Sequence, residues 1–259
     1  MQETTNNFFI DEANLQIPTV SYATYQSILT ALTTTYGLSY TQITESASFS
    51  LAMVVRAALA YSAEGAYSVG IINDNLSSWV ILAALRHLFN AGASVSVLHI
   101  KSAETLSAQL QSQLKILTKQ GVEVITVEES AGLPPLAEYL KDSHNVLCGL
   151  SDLDRTATDL EKHIIETLNT LQTPVHCVQC PFGLAPDTGA HAATTLYASS
   201  TLSLGIPLNG LLIGNDFCGR NYICDVSIPK ELYLKTGGDV GRAFASQPVI
   251  RIVTPTTDS

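Results

Sequence analysis

The run Asn73-Asp74-Asn75 follows an apolar stretch, Tyr67 to Ile72, and could hold a ligand through its side-chain oxygens. The competing reading is a turn entering a helix, with Ser77 or Ser78 as the N-cap. Farther along, Cys148 is followed by Asp152 and Asp154, and clustered carboxylates of this kind could take a divalent ion or a cationic substrate. Cys177 and Cys180 form a C-x-x-C, a spacing shared with metal and redox sites. The pair begins inside a strand-like run, Val175 to Val178, where an offset of three sends two side chains to opposite faces. A thioredoxin-type pair needs the first turn of a helix instead, so buried, reduced thiols are expected. The six histidines (His87, His99, His144, His163, His176, His191) show neither H-x-x-x-H nor H-E-x-x-H spacing, which argues against zinc. No G-x-S-x-G elbow supports a hydrolase reading.

Bulk composition narrows the partners. The 259 residues are 46% hydrophobic, enough for one large α/β core or two small ones. Only 14% are charged, so neutral polar residues must cover much of the surface. A net charge of −10 argues against nucleic acid or an anionic membrane, both of which need clustered Lys and Arg. No apolar run of about 18 residues occurs, and Met1 to Asn14 lacks the order of a signal peptide. A cytoplasmic location is the expectation.

Those candidate groups need elements to position them. Residues 1–20 read as a loosely attached N-terminal arm, and 247–259 as a C-terminal tail flanking a single domain, 21–246. Helical spacing covers Tyr22 to Tyr36 and Thr44 to Ala63, with a break at Gly37. Strands are predicted at Tyr67–Ile72, Val95–Ile100, Val122–Val127, Asn145–Leu150 and Val175–Val178, with two more near Ser200–Gly205 and Tyr222–Val226. Helices are predicted between them at Ser77–Phe89, Ala103–Lys119, Leu136–Lys141 and Asp159–Leu171. This alternation implies right-handed crossovers and a mainly parallel sheet. The loops after Ile72, Leu150 and Val178 should then meet in one crevice at the carboxyl ends of the strands.

Cys180 to Gly189, C-P-F-G-L-A-P-D-T-G, resembles the loop D-I-P-S-G-L-D-A-D-T-G of YjeF N-terminal domains, the NAD(P)HX epimerase family. Pro181, Gly183, Leu184, Asp187, Thr188 and Gly189 are kept. Four further segments resemble the family in order. Gly37 to Ser48 keeps Gly37, Glu45 and Ala47; Ala84 to Leu88 is similar to A-A-R-H-L; and the stretches from Gly205 and Gly219 resemble the closing motifs. The resemblance implies a Rossmann-like three-layer αβα sandwich, often paired as a homodimer.

The positions that carry the family's chemistry differ. Its catalytic Asp falls on Gln179 and its motif Ser on Phe182. Its G-N-N-G-G-D-G puts the asparagines on Leu76 and Ser77, and G-G-D-G on Ser78, Trp79, Val80 and Ile81. Glycine belongs there because a Cβ blocks backbone approach to a pyrophosphate. The family's second potassium-binding Asp falls on Cys148, and two glycines of that motif become Asp152 and Asp154. An amide cannot exchange protons near neutral pH, and Cys148, Leu76 and Phe182 offer no hard oxygen ligand from their side chains. Trp79 and Phe182 are expected to fill the former pocket, and Asp187 to hold a turn. The resemblance therefore implies a pseudoenzyme that binds rather than catalyses. Relatives such as the enhancer-of-decapping scaffold use the domain for dimerisation and RNA-linked assembly. No cofactor is expected, neither potassium nor NAD(P); the partners expected are a second copy and an unidentified protein. The rival readings are an enzyme of altered specificity using Asp74, Cys148, Asp152 or Asp154, and an active epimerase with motifs elsewhere.

Overall fold

The computed structural model describes residues 8–60, 62–101, 105–128, 135–151, 153 and 156–255. Strands β1 (Phe8–Ile10) and β2 (Gln16–Pro18) form a short antiparallel hairpin, followed by α1 (Tyr22–Thr34) and α2 (Tyr40–Ala58). Then come β3 (Tyr67–Ile72), α3 (Leu76–Asn90), β4 (Ser94–Lys101), α4 (Ala108–Lys119), β5 (Glu123–Glu128) and α5 (Leu136–Leu140). After these lie β6 (Asn145–Cys148), α6 (Asp159–Thr170), β7 (Val175–Val178), β8 (Ser200–Leu204) and α7 (Asn209–Ile213). Last are β9 (Arg220–Cys224), α8 (Lys230–Leu234) and β10 (Val249–Ile252).

Eight of the described strands make one sheet in the order β10-β9-β8-β7-β6-β3-β4-β5, parallel throughout except for β10 against β9. Alternate strand residues feed two apolar layers. Leu147 and Val178 join Leu32, Leu51 and Leu85 on the face covered by α1, α2 and α3. Val146, Cys148 and Cys177 join Leu140, Ile164 and Leu168 on the face covered by α5 and α6. This is the three-layer αβα sandwich that the alternation of elements implied.

Local capping sets the helix starts. The Ser39–Gln42 capping box begins α2 at Tyr40, four residues before the start expected from apolar spacing. Ser107 accepts from Leu110 N and begins α4 at Ala108 rather than Ala103, with residues 102–104 outside the described set. Asn75 caps α3, not Ser77 or Ser78, by accepting from Ser78 N at 2.9 Å.

Both ends of the described chain correct the expectation of a loose arm and tail. Phe9 and Ile17 are fully buried, and Ile10 exchanges two 2.9 Å backbone hydrogen bonds with Val253. The segment beyond 246 supplies β10, a sheet strand. The Ile10–Val253 backbone hydrogen bonds tie the two stretches to each other, and β10 ties them to the sheet through β9.

Candidate functional site

The order of the sheet reverses between β3 and β6, with β4 beyond β3 and β7 beyond β6. A crevice opens outside the carboxyl ends of strands at such a point. The loops after β3, β6 and β7 do meet there, at a cavity of about 120 Å³ bordered by Asn75, Leu76, Ser77, Ser151 and Gln179. Tyr22, Tyr25 and Leu29 of α1 form its outer wall. Sequence reading missed this wall, because only the packing of α1 onto the strand ends brings it there.

Gln179 follows directly on β7 and is 4% exposed, with a left-handed φ of 70°. Its N–H donates to Leu202 O at 2.8 Å, and its Oε1 accepts from Leu204 N at 2.6 Å. The side chain thus satisfies a backbone donor of β8. Gln179 Nε2 and the Tyr25 hydroxyl are buried beside the cavity without a well-formed hydrogen bond. Burial, above all, holds the Tyr25 phenol well above its ordinary range, so it stays protonated.

The remaining candidates are committed to the fold. Asp74 accepts from Trp79 Nε1 at 2.9 Å and from Ser107 N and Oγ at 2.6 Å each. Buried Asn73 donates to Glu161 Oε1 at 3.3 Å and accepts from Ser78 Oγ at 3.3 Å and from Asn75 Nδ2. Asn75 and Ser78 also donate to Gly149 O, at 2.9 and 3.0 Å, and Ser77 donates to Val178 O at 3.2 Å. Asp187 accepts from Tyr22 N at 2.6 Å and so ties its loop to the first turn of α1. Asp152 and Asp154 lie outside the described residues.

Trp79 and Phe182 do not fill the cavity, contrary to expectation. Trp79 turns aside, edge-on to Tyr40 with ring centroids 5.8 Å apart. Phe182 is 2% exposed in the apolar layer under α5 and α6. Leu76 and the α1 wall narrow the space instead. Cys177 and Cys180 belong to opposite layers and, with the other three cysteines, are buried and form no disulfide. Desolvation pushes the Cys148 thiol up to about 12.

A potassium ion needs several hard oxygen ligands. Here the Cys148 thiol is protonated in an apolar layer, and the Gly149 carbonyl is already taken by two donors. The described residues do not fit the ion. Among them, no three His, Cys, Asp or Glu side chains gather as a metal site. The described polar side chains that border the cavity are the phenols of Tyr22 and Tyr25, the amides of Asn75 and Gln179 and the hydroxyls of Ser77 and Ser151.

Fold and site together define a Rossmann-like domain with a narrowed crevice at the switch point of its sheet. Residues 81–210 match the model of the YjeF-related protein N-terminus, and the chain belongs to that family. It is 28% identical over 155 residues to a bifunctional NAD(P)H-hydrate repair enzyme of Thermofilum pendens, covering 58% of this chain but 29% of that protein. The match to an NAD(P)H-hydrate epimerase of Limosilactobacillus fermentum is 28% over 148 residues, covering 56% and 67%. A yeast protein of known crystal structure (ynu0, YNL200c) shares the fold, with a TM-score of 0.76 at 18% identity, over 91% of this chain and all of that one. The chain thus spans less than a third of the bifunctional relative it matches. No described helix is long and apolar enough to cross a membrane.

Proposed function

We propose that this chain is a family member without epimerase chemistry that acts by binding, as a homodimer that engages a protein partner. The observation that carries the reading is Gln179: a non-titrating amide stands where the resemblance places the acid/base Asp, and its oxygen is spent on Leu204 N. The size of the crevice supports it. About 120 Å³ is well below the roughly 300–1,000 Å³ of small-molecule sites, which speaks against a dinucleotide. The altered-enzyme reading loses Asp74, whose oxygens are occupied, and Cys148, whose thiol is buried.

The decisive assay incubates the purified chain with the separated epimers of hydrated NADH, with and without potassium. Interconversion should not exceed the spontaneous rate; turnover well above it that disappears in Gln179→Ala would overturn the proposal. Titration with NADP should leave the fluorescence of Trp79, the single tryptophan, without saturable quenching. Light scattering should give about twice the 27.7 kDa of one chain, and a monomer mass would defeat the dimer.

A further inference from the structure

A larger cavity, about 480 Å³, opens at the opposite end of the sheet, between α2 and the starts of β7, β8 and β9. That volume falls within the roughly 300–1,000 Å³ typical of small-molecule sites. Val54 and Ala57 of α2, with Pro174, give it an apolar wall. Among the described residues, no carboxylate lines it. Its polar side carries His176, Ser200 and Arg220.

Arg220 lacks an ion-pair partner among the described residues, and His176 lacks a hydrogen bond at Nε2 alone. Arg220 is exposed at the start of β9 and makes no ion pair among the described residues. In a chain with 13 basic and 23 acidic residues, an arginine without a carboxylate is a vacant anion receptor. His176 is 2% exposed; its Nδ1 pairs with Ser200 Oγ at 2.7 Å, while its Nε2 is buried with no hydrogen bond. The tautomer in which Ser200 donates to Nδ1 puts the ring proton on Nε2, a donor with nothing to receive it. Buried polar groups are nearly always paired, so such a donor marks a place for an acceptor.

We propose that this cavity binds a small organic monoanion, a carboxylate on an apolar body, held between the Arg220 guanidinium and the His176 Nε2–H. One cation balances one negative charge, and the planar guanidinium fork matches a carboxylate. A phosphate monoester dianion would be left with uncompensated charge in an already acidic protein. The Val54, Ala57 and Pro174 wall takes the apolar body. The site lies at the other end of the short strand β7 from Gln179 and rests on residues that the function proposed above does not use.

Calorimetry on the full chain with benzoate as probe tests the assignment. Benzoate should bind saturably at one site, and neutral benzamide of the same shape at least about tenfold more weakly. Arg220→Gln, at an exposed position that leaves the core untouched, should weaken benzoate by about tenfold or more. The His176 ring nitrogens should shift in the NMR spectrum as benzoate is added. No saturable binding, equal affinity in Arg220→Gln, an unmoved His176 signal, or a preference for phenyl phosphate would each overturn the proposal.

Discussion

Gln179 holds a left-handed backbone that glycine, asparagine and aspartate adopt more readily. Its Oε1 serves Leu204 N inside the sheet. Gln179→Ala should therefore destabilise the fold by about 1–3 kcal/mol, the cost of an orphaned buried donor. An unchanged urea midpoint would show that water replaces the amide. Burial lowers the His176 pKa to about 4 from 6.5, so between those values the unfolded chain takes a proton that the folded chain refuses. Stability should fall as pH drops through that window, by on the order of 3 kcal/mol at about 1.4 kcal/mol per pH unit of displacement. His176→Gln should flatten the slope of unfolding free energy against pH. Sequence revealed residue types at this scale but not their directions. The substitution at Gln179 was legible, whereas the turn of Trp79 toward Tyr40 and Asp74 depends on packing between α2 and α3 that no local pattern encodes.

The family turn after β7 keeps its punctuation for reasons of backbone shape. Gly183 has φ +80°, and a Cβ there would sit 2.3 Å from Thr194 O; at Gly189, φ +66°, it would sit 2.7 Å from Gly214 N. Neither contact can yield without moving main chain. Gly183→Ala should cost more than about 2 kcal/mol, combining strain with overpacking, which thermal unfolding can check. A variant with wild-type stability would refute the structural role of the turn. The long helices of the central alternation were legible because a period of about 3.6 registers over twelve to fifteen residues, and the strands between them because they read as apolar runs set off by those helices. The hairpin and β10 were not. Each strand has three or four residues, too short for a period to register, and their pairing joins parts of the chain far apart in sequence.

Across the whole molecule, the bridge from Ile10 to Val253 pairs the backbone at one end of the sheet's outer edge, one residue past β10. An uncovered edge offers unpaired backbone groups to other chains. Deleting residues 1–18 should leave that end of the edge open and increase aggregation, visible as a rising scattering baseline at concentrations where the full chain stays clear. Equal clarity would mean that the edge is protected by other means. Low charge fits the proposed dimer, because neutral surface is cheaper to desolvate than ionic surface. Fold class was legible at this scale from the order of elements. The contact between the first and last strands was not, since nothing near Phe8 points to residues more than two hundred positions away.

That contact also sets a clock on biosynthesis. Ile10 leaves the ribosome long before Val253 exists, and the two pair only when the last strand emerges. At roughly 5–20 residues per second, the first strand waits on the order of 10–50 s. Throughout that interval Phe9 and Ile17, fully buried in the finished protein, lack part of their native cover. The nascent chain is therefore exposed to chaperone capture until Val253 emerges, and slowing elongation lengthens that exposure in proportion.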